Sequence, residues 1–515
     1  MGRAGHDRPG AAGRRALTHP MTLVDPGDGP LAADAALVAA RLAGGTVASR
    51  IGDADPSVWG RAATDAVGWA ALPRTSRPLV GQIAALRERF RVDGARRVVL
   101  VAAPGQAHGA AVLARASAAP LEVLDSADPG ALVDVLEGDM ASTVVVHVDT
   151  AGQADGPADT VVAILRDAIR AEGVRAETRV VVVTEAGSRV EKLALEAGAP
   201  VVTAERDVPS RFGTLGATAL VAAGLAGTDV EQLLAEASEA TALVTADHPD
   251  NPALVLAGLL LAEDPAPLVL DPESGPDGLA DWVEHLVGGS TGGLGPLPLL
   301  VPGRGGRGPS LTLRRGENVF STRGGVGAQV VLWQYAVATV ARVLGADPFA
   351  GGVPSAGSAE PLRCVAVDGD VEIRAGDGTH ADSVVDALRG LATRAGGAIA
   401  VEAWLDPRED ASAAVLGPEI ARRTGRPTTF GWAPRTLDGV GRHHRDTPDT
   451  AFLVITGDSE HDHDLPAGGT LDDVVAAQAG AATADLVTAG RPVLGLHLRD
   501  RLGGLVTVAR AVQEL

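Results

Sequence analysis

Short valine-rich runs alternate with helical stretches along most of this chain, and the alternation fixes its fold class. Residues 97–102, 121–124, 143–148, 179–184 and 200–204 are runs of four to six residues, apolar and mostly β-branched. Between them, 109–118, 129–136 and 160–172 carry apolar residues at helical spacing. Apolar strands separated by helices make a parallel sheet covered on both faces. The pattern predicts a doubly wound parallel-sheet α/β domain over residues 96–230. Further runs at 267–270, 297–301, 398–403, 427–431, 451–456 and 492–498, with helices at 412–423 and 471–489, predict a second α/β domain over 263–515. Residues 212–262 read as mostly helix, with 231–262 connecting the two domains. A helical N-terminal segment is expected over 31–95, broken by Pro56, Pro73 and Pro78. Residues 1–30 are expected to be a disordered tail, with Met21 as an alternative start. Stretches 288–310 and 349–360 read as surface loops.

Composition narrows the functions open to the chain. Its 515 residues suffice for two or three cores. Aromatic residues make up only 3%, so alanine, valine and leucine must fill those cores. A net charge of −21 argues against nucleic acid, whose phosphates it would repel. Lys192 is the single lysine among 44 basic residues, which excludes Schiff-base or P-loop lysine chemistry elsewhere. The single cysteine, Cys364, allows neither an intrachain disulfide nor a thiolate zinc cluster and fits a cytoplasmic protein. The apolar run near 253–262 is too short to span a membrane, and the first twenty residues lack the apolar stretch of a signal peptide. No dinucleotide fingerprint occurs, so no cofactor is expected. His461-Asp462-His463-Asp464 could hold a metal with His443 and His444. It reads instead as a solvated acidic loop, and no metal is expected.

The motifs carry more. Asp207-Val208-Pro209-Ser210-Arg211-Phe212-Gly213, running on to Ala226-Gly227-Thr228-Asp229-Val230, resembles the signature of glucose-6-phosphate isomerases. The same resemblance extends through Asp250-Asn251-Pro252-Ala253-Leu254, residues 327–336, Gly431-Trp432-Ala433-Pro434-Arg435 and Val474-Val475-Ala476-Ala477-Gln478. It covers about residues 30 to 515 and is closest to the actinobacterial form of the family, including the form fused to transaldolase. It implies two sugar-isomerase (SIS) domains with a helical N-terminal segment, a role in glycolysis and gluconeogenesis, and a sugar phosphate as ligand.

Isomerising a sugar phosphate needs a phosphate cradle, an acid/base pair, a carboxylate to move a proton between C1 and C2, and a cation for the enediolate. The family's cradle follows a strand and opens a helix. Here the matching loop is Asp149-Thr150-Ala151-Gly152-Gln153-Ala154-Asp155, in which Gly152 survives and Thr150 is the one hydroxyl. Asp149 and Asp155 put negative charge where a dianion should sit. Two unit charges about 4 Å apart repel by roughly 4 kcal/mol at an effective dielectric of 20, more than a hydrogen bond returns. The loop of the first strand keeps Gly105, while Pro104 removes a donor. The family's proton-transfer glutamate corresponds to Gly289, ahead of Ser290 and Thr291; glycine cannot move a proton. Glu284 and His285 nearby read as ordinary helix-surface residues. Towards the C-terminus the family's first histidine is Asp438, its second is His444, and its lysine is Arg445, which keeps charge but does not titrate.

Residues that build strands and turns match the family, and residues that bind phosphate or move protons mostly do not. The resemblance carries over Arg211, His444, Arg445 and Gln478 as retained catalytic positions. Gly105, Thr150, Gly152, Ser290 and Thr291 carry over as substrate-binding positions. Three functions stay open. The first is an isomerase-like protein with impaired or absent catalysis, kept as a partner or sensor, as a homo-oligomer or paired with an active isomerase or pathway enzyme. The second is a working glucose-6-phosphate/fructose-6-phosphate isomerase with His108 or Glu185 as substitute acid/base. The third is an SIS-type binding module for another small ligand.

Overall fold

Five valine-rich strands make the first sheet, all paired in parallel in the order Leu121–Leu124, Arg97–Ala102, Thr143–Asp149, Val180–Glu185, Val201–Ala204. The computed structural model describes residues 23–59, 66–150, 156–303, 306–351, 362–376, 380–465 and 468–515. Alternate residues of each strand serve opposite faces. Val144, Val146 and Val148 pack towards the helix Ala217–Ala226, whereas Val145 packs with Val161 and Leu165 of the helix Pro157–Ala171. Strand order reverses at the central pair, so the loops after Arg97–Ala102 and Thr143–Asp149 flank a switch point, where open α/β sheets bind ligands. Strand and helix positions here follow the sequence pattern closely: the helix Pro129–Leu136 starts where its Asp128 cap and first-turn proline require.

The second parallel sheet has Val493–Leu498, Ala451–Gly457, Ile399–Trp404 and Thr428–Trp432 side by side. An antiparallel hairpin, Arg363–Asp368 and Val371–Ala375, extends it at one edge. Periodicity did not reveal this hairpin, because Arg363–Asp368 is mostly exposed and carries charge.

The single second domain expected over 263–515 needs correction. Leu268–Leu270 and Pro298–Leu300 do not join the second parallel sheet. They form a third, mixed sheet with the hairpin Ser310–Arg315 and Asn318–Arg323 and with Val24–Asp25. Val24 is buried there and Pro30 opens a helix, so residues 23–30 do not form the expected disordered tail; residues 1–22 lie outside the described residues. The expected loop at 288–310 is also wrong in part: Gly288 to Thr291 finish a buried helix, Leu279–Thr291, and Pro298–Leu300 is a strand. Of the stretch 349–360, residues 352–360 lie outside the described residues. The helix Val326–Leu344, buried over residues 327–341, runs through the core against Val230–Val244, Pro252–Leu261 and Leu279–Thr291. Among the described residues, no helix is long and apolar enough to cross a membrane.

Candidate functional site

Two loops open the site. Gly105 follows the strand Arg97–Ala102 with φ +84°, a backbone conformation that favours glycine. A Cβ there would lie 3.2 Å from Asp438 Cβ and 3.6 Å from His285 Cε1, so Gly105 lets three elements meet. Gln106 Nε2 donates to Thr150 Oγ1 at 3.0 Å, tying this loop to the one after Thr143–Asp149. Gly152 and Asp155 lie outside the described residues.

Arg211 sits in the 3-10 turn Ser210–Leu215 and is 4% exposed. Its Nη1 donates to the carbonyls of Pro348 (3.0 Å) and Ala350 (3.2 Å). Its Nη2 donates to the carbonyl of Asp438 (2.8 Å) and to Asp438 Oδ1 (2.9 Å). Burial pulls the guanidinium pKa down, and the Asp438 carboxylate opposes that pull. The cation that the family resemblance offers to an enediolate is thus held by a carboxylate and three carbonyls. Arg442 Nη1 reinforces the arrangement by donating to the carbonyls of Gly289 (2.5 Å), Ala350 (2.6 Å) and Asp347 (3.1 Å).

Gly289 explains why Arg211 fits. A Cβ at Gly289 would lie 2.2 Å from Arg211 Nε and 2.5 Å from the Asp438 carbonyl oxygen. The space a glutamate would need is filled by the arginine. Ser290 is fully buried and its hydroxyl has no partner among the described residues, while Thr291 Oγ1 donates back to the Val287 carbonyl at 2.8 Å.

Glu284 and His285 are not surface residues: they are 7% and 4% exposed. The helix Leu279–Thr291 is buried on nearly every side, so reading one polar face from its sequence fails. The His285 ring stacks on that of His108, with centroids 3.9 Å apart and planes at 11°. Among the described residues, neither buried ring nitrogen of His285 has a hydrogen-bond partner. Burial, then the nearby Arg435 guanidinium, lowers the His108 pKa to about 4. Burial, His108 and Arg211 hold His285 well below the ordinary histidine value. Both rings are neutral at neutral pH. Burial pushes the Glu284 carboxyl well above its usual range, and Asp281 adds to the effect. Close by, the half-buried Arg435 binds the buried Asp125 through Nε and Nη2 at 2.7–3.1 Å, a two-pronged pair.

The other resemblance-derived positions divide. Arg445 Nη2 donates to the Leu437 carbonyl at 2.7 Å, beside Asp438. His444 turns towards the second sheet, with Nε2 2.7 Å from Thr429 Oγ1 and Nδ1 buried without a partner. Gln478 lies on the helix Leu471–Thr488, and its buried Oε1 has no partner among the described residues. Glu402, on the strand Ile399–Trp404, has its pKa raised by burial to about 7, against the pull of Arg445. Glu185 is engaged by Arg206 Nε at 3.0 Å. His443 and His444 are buried in the helix Val440–Asp446, while His461-Asp462-His463-Asp464 stays in a loop after Ala451–Gly457. Among the described residues, no group of three or more His, Cys, Asp or Glu side chains is set to hold a metal ion.

Motif matching missed Asp438 as the partner of Arg211. The signal was present as two coupled departures, Gly289 and Asp438, which both prove to touch Arg211. The Asp125–Arg435 pair joins residues 310 apart and left no trace in local spacing.

The chain is an α/β protein with two parallel sheets. No protein-family model matches it, and no curated protein sequence is significantly similar to it. Among solved structures it is similar to a hypothetical protein of Thermus thermophilus, at 15% identity and TM-score 0.40, covering 95% of this chain and 91% of that one. It is also similar to a glucose-6-phosphate isomerase of Chlamydia trachomatis, at 14% identity and TM-score 0.34, covering 86% of this chain and 69% of that one.

Proposed function

We propose that this chain is a sugar-phosphate-isomerase-like protein of the SIS type that has lost aldose–ketose isomerisation and acts in sugar metabolism as a partner or sensor. One observation carries the reading: Arg211 and Asp438 pair at 2.9 Å over Gly289, where the resemblance calls for a glutamate. Glycine supplies no base there, and the cation that would stabilise an enediolate already has its counter-charge. Assembly with a second copy or with an active isomerase belongs to the same proposal, and light scattering of the purified protein, alone and mixed with such an isomerase, tests it. The activity test uses protein from a host lacking its own isomerase. Conversion of fructose 6-phosphate to glucose 6-phosphate is followed by coupled nicotinamide reduction. The expected result is no turnover above blank from folded protein; turnover of roughly 1–10³ s⁻¹ overturns the proposal.

A second reading, a working isomerase with a substitute base, is favoured by the neutral His108 imidazole beside Gly105. It predicts turnover that His108→Asn removes.

A further inference from the structure

A cavity of about 350 Å³ opens where four helices end. Leu260 and Leu261 finish the helix Pro252–Leu261, and Leu344 finishes Val326–Leu344. Gly293 and Leu294 follow Leu279–Thr291, and Thr447 follows Val440–Asp446. Helix C-termini carry partial negative charge and favour cations.

Apart from Arg315, the polar side chains of the wall offer acceptors. His443 Nδ1 lies 2.7 Å from the Gly292 carbonyl. A carbonyl can only accept, so Nδ1 carries the proton and Nε2 keeps its lone pair. His443 is 5% exposed and lines the cavity. Its Nε2 has no hydrogen-bond partner among the described residues. Burial lowers the His443 pKa, which keeps that lone pair available at neutral pH. Thr447 Oγ1 donates its proton to the His443 carbonyl at 2.8 Å and is left able only to accept. Asp264 adds a carboxylate, one oxygen of which, Oδ1, already accepts from the Ala266 N–H at 2.8 Å. Arg315, a cation on the wall, turns Nη1 and Nη2 to the carbonyls of Leu259 (3.2 Å), Leu260 (2.7 Å) and Asp264 (2.6 Å). It caps a helix end, and the Asp264 carboxylate offsets its charge. Leu260, Leu294 and Leu344 give the cavity an aliphatic side.

We propose that this cavity binds a small primary ammonium compound with an aliphatic body. Three N–H donors would meet the His443 lone pair, the second oxygen of the Asp264 carboxylate and the Thr447 oxygen, and the positive charge would face the C-termini of the three helices that Arg315 does not cap. The cavity lies away from the Arg211–Asp438 centre, so the inference stands apart from the isomerase-like reading.

The test is calorimetric titration of the full chain with n-butylammonium chloride. Tetramethylammonium chloride matches the charge without N–H donors, and n-butanol matches the body without charge. Saturable binding of butylammonium alone is expected, with affinity falling about tenfold or more in His443→Ala or in Asp264→Asn. The proposal is overturned if wild-type protein shows no saturable binding or binds either control as well. It is also overturned if both folded variants keep full affinity. The wild-type comparison decides the matter even if a variant fails to fold.

Discussion

Two regions share the last turns of the helix Leu279–Thr291 and have opposite chemistry. Around Gly289, where the family resemblance points, the Arg211 Nη donors are bound by Asp438 and by carbonyls, and the space for a catalytic side chain is filled. Beside Gly292, where it does not point, the cavity keeps an uncommitted acceptor, His443 Nε2. A matching motif locates a place in a fold. Whether that place can still act depends on which hydrogen-bonding groups are left uncommitted.

Removing the counter-charge should have the largest effect. Asp438→Ala leaves Arg211 buried without its carboxylate and should cost about 3–5 kcal/mol of stability in urea unfolding. A loss below about 1 kcal/mol would mean the pair does not hold the centre. Gly289→Glu restores the residue type that the resemblance calls for, yet its Cβ would meet Arg211 Nε at 2.2 Å. It should destabilise the protein by about 2–3 kcal/mol, as overpacking does, and should produce no turnover of fructose 6-phosphate.

Acid should weaken the His108–His285 stack next. The folded-state pKa of His108 is about 4 against 6.5 for a free ring, so the unfolded chain binds more protons between those values. Stability should therefore fall as pH drops from about 6.5 towards 4, by roughly 1–3 kcal/mol. His285, held low by burial, acts in the same direction. Glu402 works oppositely: its raised carboxyl, at about 7, contributes stability that is lost as pH rises from the free-glutamate range. Denaturation across this range should show a flattened acid limb in His108→Phe and a flattened neutral limb in Glu402→Gln. The smallest effect is expected from Thr150→Val, which removes the hydrogen bond from Gln106. It should lower the thermal midpoint by the equivalent of about 0.5–1.5 kcal/mol.

Much of the fold was legible because parallel strands announce themselves locally. Arg97–Ala102 and Val180–Glu185 are valine runs whose ends the sequence places within a residue or so. The third sheet was not legible. Val24–Asp25 and Leu268–Leu270 are too short to carry a period, and their partners lie far along the chain. At the site, Arg211, Gly105 and Gly289 were found by motif, but their present roles were not. Those roles depend on Asp438, 227 positions from Arg211, and on the burial of a helix whose sequence looks half polar. From sequence, His443 was only a possible metal ligand beside His461-Asp462-His463-Asp464; its bond to the Gly292 carbonyl shows which nitrogen is free.

The most direct test is a double-mutant cycle on Arg211→Met and Asp438→Ala, read by urea unfolding. If Asp438 holds Arg211 as the structure indicates, the coupling should reach about 2–3 kcal/mol. A coupling below about 0.5 kcal/mol would leave Arg211 energetically free and contradict the account of a centre filled by its own side chains.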